Sequence, residues 1–127
     1  DFDSDSALDQ YFSNVSDRSV LSGNLIGWFA SERDVELFYL NRAGERLKEV
    51  DIETSKKTWA HYSKFSKSVE MMNGDIVFLE QSLSDIPLIV FYPSGFNSGA
   101  HLIFTDETKE LRYRLDQQGS TLLVHEK

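Results

Sequence analysis

The hydrophobic period of the sequence changes once, near residue 24, and this change limits the folds that the chain can adopt. Before it, apolar side chains recur at three- and four-residue spacing over residues 6–22, which predicts an amphipathic helix. Gly23 and Asn24 follow, and glycine ends a helix at little cost because it accepts a positive φ. The helix face predicted to pack against the rest of the protein contains Leu8, Tyr11, Phe12 and Val15, and Ser19 continues it.

Short runs rich in β-branched and aromatic residues follow the helix, separated by turn residues. They include LIGWFAS, VELFYLN, PLIVFY and AHLIFTD, and Asn73-Gly74 is a strong signal for a tight hairpin turn. One helix followed by seven to nine short strands predicts antiparallel sheets and the α+β class. Residues 56–72 fit no element clearly, since Trp59, Tyr62 and Phe65 suit either a helical turn or a loop.

The length and composition predict a single domain over residues 1–127. Hydrophobic residues make up 40% of the chain and aromatic residues 13%, which is enough for one core. No apolar run approaches the roughly 20 residues of a membrane-spanning helix. Because the sequence begins at Asp1 without a methionine, we expect a piece of a longer protein from which any signal or anchor has been removed.

The charge and the cysteine content argue against several classes of function. The formal net charge is −8, and such a surface repels phosphate backbones, so no nucleic-acid partner is expected. The densest basic stretch, from Lys56 to Lys67, is thinly spread and is interpreted as solvated. The absence of cysteine excludes disulfides, thiolate catalysis and cysteine zinc sites.

Ser94 is the most conspicuous candidate nucleophile, because it lies between Pro93 and Gly95. A nucleophile elbow requires Gly-x-Ser-x-Gly and a following helix, but here Tyr92 replaces the first glycine and an apolar strand follows. Pro93, Ser94 and Gly95 are therefore predicted to form a structural turn.

The histidines and glycines do not suggest a metal or cofactor site. His61, His101 and His125 stand far apart, so no two have the two- to four-residue spacing that places metal ligands on one face. The glycines are scattered, and none forms a phosphate-binding loop. We expect no catalytic residue, no metal and no cofactor.

The acidic opening of the chain has the alternating aspartates of a calcium loop at Asp1, Asp3 and Asp5. An EF-hand loop also needs glycine at its sixth position and glutamate at its twelfth. Those positions hold Ser6 and Phe12, so a calcium site is not predicted.

Three stretches of the sequence resemble one bacterial family. Residues 19–27 join a helix end and a glycine to the first strand, residues 89–105 place Pro93-Ser94-Gly95 between two apolar strands, and residues 111–123 hold two strands around Asp116-x-x-Gly119. Together they resemble the soluble head of an H-type minor pseudopilin (GspH) of the type II secretion system. This family shares its domain pattern with the FimT-type minor pilins of type IV pili. Residues 45–80 match no motif of the family.

The resemblance implies a pseudopilin (type IV pilin-like) fold, in which an N-terminal amphipathic helix packs on two antiparallel β-sheets. Residues 6–22 would be the C-terminal part of the pilin-type helix and residues 25–127 the β-rich head. A membrane-anchoring helix would precede Asp1, trimmed and methylated by a prepilin peptidase and inserted in the inner membrane, with the head in the periplasm. The family is not enzymatic.

The same resemblance implies a role in protein export across the outer membrane. The head would link the tip minor pseudopilins to the major-pseudopilin shaft, and its partners would be those pseudopilins. A partner contact is predicted in the middle segment, at Trp59, Tyr62, Lys64 and Lys67.

Two alternatives stay open at this point. A FimT-like minor pilin, involved in pilus assembly or DNA uptake, would need an exposed basic cluster, and Arg112 and Arg114 alternate on one strand face. A carbohydrate- or peptide-binding β-sandwich would use an aromatic platform made of Trp28, Trp59, Tyr62 and Phe65.

Overall fold

The computed structural model describes the backbone of residues 4–126 and the side chains of residues 7–126. Asp1 and Asp3 of the acidic opening lie outside the described residues. The chain begins with a long helix, α1 (Ser4–Ser22). The elements that follow are β1 (Leu25–Ala30), β2 (Val35–Leu40), β3 (Arg46–Val50), α2 (Ser55–Ala60), β4 (Ser66–Met71), β5 (Ile76–Phe78), β6 (Ile89–Phe91), β7 (Ala100–Thr105), β8 (Glu110–Leu115) and β9 (Thr121–Glu126).

The strands form two antiparallel sheets. The first sheet has the order β3-β2-β1-β6, and the second has the order β5-β4-β7-β8-β9. Sequential neighbours pair as hairpins in β1–β2, β2–β3, β4–β5, β7–β8 and β8–β9. The helix and the two sheets confirm the predicted α+β class.

Helix α1 packs on both sheets, against β1 and β6 of the first and β9 of the second. Leu8, Tyr11, Phe12 and Val15 are all buried on its inner face. The helix starts two residues before the predicted start at residue 6, because its limits depend on backbone hydrogen bonds and not on the side-chain pattern. It ends as expected, where Gly23 adopts a φ of 70° and its N–H donates to the Ser19 carbonyl over 3.0 Å.

The core between α1 and the sheets is largely aromatic. The rings of Tyr62 and Phe104 stack with centroids 4.0 Å apart, and Trp28 meets Trp59 edge-on at 5.3 Å. Rings from one helix, both sheets and the middle segment therefore meet in one cluster. Its aromatic members include Tyr11, Phe12, Trp28, Trp59, Tyr62, Phe91, Phe104 and Tyr113.

The middle segment is regular, in contrast to the undecided sequence pattern. Its first part is helix α2, and its last part is strand β4, which begins at Ser66. Strand β4 pairs with β7 along its whole length, from Ser66 opposite Thr105 to Met71 opposite Ala100. Long-range pairing of this kind has no local sequence signal.

No helix within residues 4–126 is both long and apolar enough to span a bilayer.

Candidate functional site

The Pro93-Ser94-Gly95 stretch is a tight turn that closes between Tyr92 and Phe96. The Tyr92 N–H donates to the Phe96 carbonyl over 2.9 Å, and the Gly95 N–H donates to the Tyr92 carbonyl over 3.0 Å. Gly95 has a φ of 96°, which strongly favours glycine. The exposed Ser94 accepts a hydrogen bond from the Phe96 N–H at its Oγ, over 3.4 Å. This geometry is that of a turn and not of a strand-to-helix nucleophile elbow.

The turn is attached to helix α1. Ser16 donates from its Oγ to the Gly95 carbonyl over 3.4 Å, and Val20, one helical turn further on, lies beside Gly95. Ser19 is fully buried, and its hydroxyl lies 2.6 Å from the Asn24 carbonyl oxygen and 3.1 Å from that of Phe91. The Ser19 hydroxyl has one hydrogen, and the two carbonyl oxygens share it as acceptors. The helix end, the entry to β1 and strand β6 are thereby held together.

A buried polar chain joins α1 to the middle segment. The Trp28 Nε1–H donates to the Tyr11 hydroxyl over 3.2 Å, and that hydroxyl lies 2.8 Å from the Ser55 Oγ. Burial raises the pKa of Tyr11 to about 12, although the hydrogen bonds from Ser55 and Trp28 act in the opposite direction. Tyr11 is therefore neutral over the physiological range and serves as a structural link.

The structure contradicts most of the predicted partner contact in the middle segment. Trp59 is only 3% exposed, Tyr62 1% and Lys67 4%, so these side chains cannot form an exposed contact surface. The prediction failed because the spacing of the aromatic residues does not indicate which way their side chains point. The rings of Trp59 and Tyr62 both point into the core. Only Lys64 of the predicted group is exposed, and a contact there stays a prediction.

Lys67 is buried because its ammonium group has partners inside the protein. The Nζ donates to the backbone carbonyls of Glu32 and Phe65 over 2.9 and 3.0 Å, and it lies 3.7 Å from the Glu32 Oε2. Burial lowers the pKa of Lys67, and the Glu32 carboxylate opposes that effect. This lysine fixes the β1–β2 loop to strand β4.

The proposed aromatic platform is also absent from the surface. Trp28, Trp59 and Tyr62 are buried, and Phe65 is half-buried against the core. The Trp59 Nε1–H is used internally, where it donates to the Ser31 carbonyl over 3.0 Å. The protein therefore has no exposed indole ring on which a sugar or an extended peptide could stack.

The arginine pair on β8 is only partly available to an anion. Arg112 donates from its Nη1 to the Glu70 Oε1 over 2.7 Å, and the same nitrogen lies 2.9 Å from the His101 Nδ1. Arg112 holds the pKa of Glu70 below its usual range, while burial and the charge of Arg112 lower the pKa of His101. Since Arg112 already has a carboxylate partner, only Arg114 remains as an exposed cation of this pair.

Side chains that could hold a metal ion are not brought together within the described part of the chain. No group of three or more histidine, aspartate or glutamate side chains among residues 7–126 is placed to hold a metal ion. A surface hollow of about 570 Å³ is lined by residues such as Lys64, Ser66 and Asp106.

Two groups of exposed apolar side chains were not identified from the sequence. One contains Val20, 48% exposed, together with Tyr92 and Phe96 at the turn. The other contains Ile76 and Phe78 of strand β5, which are 49% and 74% exposed. The alternation in Ile76–Phe78 could have indicated a shared face, but only the sheet order shows that this face lies at an edge.

Comparison with solved structures identifies the fold. No protein-family model matches the sequence, and no curated protein matches it significantly. A crystal structure of the minor pseudopilin EpsH from the type II secretion system of Vibrio cholerae superimposes with a TM-score of 0.65 at 16% identity, covering 98% of this chain and 92% of that one. A second structure of EpsH from the same system gives 0.57 at 15% identity, covering 96% and 97%. The chain therefore has the pseudopilin fold that its sequence predicted, and its architecture is similar to that of EpsH over nearly the whole length of both chains.

Proposed function

We propose that this chain is the head of an H-type minor pseudopilin in a type II secretion system, and that it acts by assembly and not by catalysis. The observation that carries the proposal is the match to EpsH over 98% of this chain, from helix α1 through the last strand. These two solved structures are both of EpsH, a minor pseudopilin of a type II secretion system. The head would link the tip minor pseudopilins to the major-pseudopilin shaft.

The attachment of α1 to the head supports this role. A subunit that assembles through its N-terminal helix needs a helix that holds a fixed orientation to its head. Here Asp9 accepts the Thr121 N–H of the second sheet at its Oδ1 over 2.9 Å, while Ser19 binds the Phe91 carbonyl of the first sheet. The helix is thus hydrogen-bonded to both sheets, one near each end.

The proposal also assigns a location. The head would lie in the periplasm, with α1 continuing into an anchoring helix in the inner membrane. Its partners would be the other minor pseudopilins and the major pseudopilin. The exposed side of α1, which includes Arg18 and Leu21, would face neighbouring subunits.

A DNA-binding pilin is the less favoured alternative. The net charge is −8, and Arg112 is occupied by Glu70, so the described surface lacks the dense basic cluster that phosphate binding requires. A FimT-like role in pilus assembly or DNA uptake would therefore need an exposed basic surface, which the described part of this head does not display.

A mixing experiment tests the assignment. The purified domain is titrated by calorimetry and size-exclusion chromatography against the soluble heads of the tip and major pseudopilins of the same organism. It is then titrated against duplex DNA at low and high salt. We expect saturable binding to a pseudopilin head and no salt-sensitive DNA binding. Failure to bind any pseudopilin head would overturn the linking role, and DNA binding that falls steeply with salt would move the protein to the pilus class.

A further inference from the structure

The two sheets have four edge strands, and three of them are protected. Strand β3 carries Arg46, Lys48 and Glu49, and charges on an edge discourage pairing with another chain. The edge of β6 is covered by its own chain, where the Ser98 N–H donates to the Val90 carbonyl over 2.9 Å. Strand β9 lies against helix α1. The fourth edge strand, β5, has none of these protections among the described residues.

The backbone of β5 presents free hydrogen-bonding groups. The N–H of Leu79 donates to Lys67 over 3.0 Å, and the N–H of Met71 donates to Asp75 over 2.8 Å, so the odd-numbered residues of β5 and its flanks face β4. In an antiparallel pair the intervening residues point their N–H and C=O groups the other way. The backbone groups of Ile76 and Phe78 therefore point outward, and no residue within 4–126 bonds to them.

The chain itself shows that this edge accepts a backbone partner. At Glu80, two residues beyond Phe78 and with the same orientation, the carbonyl accepts the Glu32 N–H over 2.8 Å. The β1–β2 loop thus makes one contact of the kind that a neighbouring strand would make. The positions before it, Ile76 and Phe78, remain open.

The side chains around the edge are apolar and exposed. Ile76 and Phe78 lie on one face of β5, and Ile86 from the following loop is 51% exposed. A groove of about 400 Å³ runs beside the strand, and its lining includes Phe78, Leu79, Leu83 and Ile86. Covering this surface would be favourable, because exposed apolar area of this kind gains free energy when it leaves water.

The groove beside β5 carries negative charge, which favours the binding of a basic segment. Glu80 and Asp85 line it, and neither forms a salt bridge within the described part of the chain. Arg46 is the nearby cation, but its guanidinium donates to the Ser84 carbonyl and lies 4.2 Å from the centroid of the Phe29 ring. A segment bearing lysine or arginine would complement these two carboxylates.

We propose that β5 accepts an extended, basic segment of another protein as a sixth strand of the second sheet. Backbone hydrogen bonds to Ile76 and Phe78 would supply the pairing, apolar side chains on one face of the segment would cover Ile76 and Phe78, and basic side chains at the end of the segment beside the groove would meet Glu80 and Asp85. The proposal does not depend on the secretion role, since it concerns only the chemistry of this edge.

A capped peptide with a central run of alternating valine and threonine and with lysines at both ends is the probe, and it is called the lysine–valine peptide. It has an apolar face, basic ends and a strong preference for the extended state. In the matched glutamate–valine peptide, glutamates replace the lysines. Binding is followed by amide NMR and by hydrogen exchange at single residues. We expect saturable binding that weakens with salt and slows exchange of the Ile76 and Phe78 amides by more than about tenfold. The Val77 amide, already bonded to β4, serves as the internal reference.

Variants separate the contributions of backbone, apolar surface and charge. Ile76→Pro removes an outward N–H without touching the bonds to β4, and we expect it to weaken binding by at least about tenfold. Phe78→Ser and the double change Glu80→Gln with Asp85→Asn should each weaken it as well. Leu47→Ser is the matched control, since Leu47 is 59% exposed on the other sheet's edge strand β3 and should leave binding unchanged. Amide spectra verify that each variant is folded.

The proposal is overturned if the lysine–valine peptide fails to bind up to about 1 mM. It is also overturned if bound peptide protects amides elsewhere and not those of Ile76 and Phe78. Equal binding of a glutamate–valine peptide would contradict the basic selectivity. If Ile76→Pro proves unfolded, unchanged binding by the Phe78→Ser and charge variants would overturn the proposal independently.

Discussion

The Tyr11 hydroxyl lies 2.8 Å from the Ser55 Oγ, which links helix α1 to helix α2 in the buried interior. The same hydroxyl accepts the Trp28 Nε1–H of strand β1 over 3.2 Å. Three elements that are distant in the chain thus share one oxygen atom. Because buried polar groups are costly when they lose a partner, this atom is a sensitive point of the fold.

Tyr11→Phe is expected to lower the free energy of unfolding by about 1–3 kcal/mol, since it leaves the Trp28 N–H and the Ser55 hydroxyl without their partner. Urea denaturation followed by fluorescence measures the change. Tyr92→Phe is the control, because Tyr92 is 39% exposed and its loss should change stability by less than about 0.5 kcal/mol. Equal effects of the two substitutions would show that the buried link contributes nothing.

Stability should fall at alkaline pH through the same tyrosine. Burial raises the pKa of Tyr11 from 10.0 to about 12, so the folded state holds its proton in a range where the unfolded state loses it. The stabilisation is complete below pH 10 and is lost as the pH rises toward 12. By pH 12 the natural protein should have lost about 2 kcal/mol more than Tyr11→Phe. Parallel loss in both proteins would exclude Tyr11 as the titrating group.

Removal of the charge should lower the stability of the protein at Lys67 but not at Lys64. Lys67→Met leaves the Glu32 and Phe65 carbonyls without their donor and should cost about 1–3 kcal/mol in urea denaturation. Lys64→Met alters an exposed side chain and should change stability by less than about 0.5 kcal/mol. A Lys67→Met protein as stable as the natural one would contradict the structural role of this buried lysine.

Lys64 remains the exposed part of the predicted partner contact. Lys64→Glu should weaken binding to pseudopilin heads while leaving the fold intact, whereas the reversal of Lys67 would damage the fold itself. Calorimetry with each head measures the first effect. Unchanged affinity for every pseudopilin head would remove the middle segment from the contact surface.

The histidine on β7 provides a test of the Arg112 network. Burial and the charge of Arg112 lower the pKa of His101, while the Glu70 carboxylate raises it. Glu70→Gln should therefore lower the pKa of His101 further, as measured by NMR titration. Glu107→Gln, which changes an exposed carboxylate, is the control. A rise in the His101 pKa in the Glu70 variant would show that the geometry of this cluster differs from the one described.

The parts of the fold that the sequence predicted are those governed by local physics. The spacing of Leu8, Tyr11, Phe12 and Val15 defines one helix face, and Asn73-Gly74 marks a hairpin that indeed joins β4 to β5. The direction of Trp59 and Tyr62 was not predictable in this way, because their spacing suits a helix and a loop equally. The burial of Lys67 was not predictable either, since its ammonium group donates to backbone carbonyls and the Glu32 carboxylate beside it is distant in the sequence.

The surfaces were harder to predict than the elements. A sequence shows that Ile76 and Phe78 share a face, but whether that face is covered depends on the sheet order. The same applies to Arg112, whose carboxylate partner Glu70 comes from β4, two strands away in the sheet. Such relationships are tertiary, and a single sequence contains no signal for them.

Two of the hydrogen bonds of helix α1 also bear on how the head would respond to mechanical load. Asp9 joins the helix to β9 of the second sheet, and Ser19 joins it to β6 of the first. Because the helix is bonded to both sheets, a pull along its axis would be shared between the two sheets. Loss of one of these bonds would shift load to the remaining contacts of α1, and we expect the head to yield at a lower force.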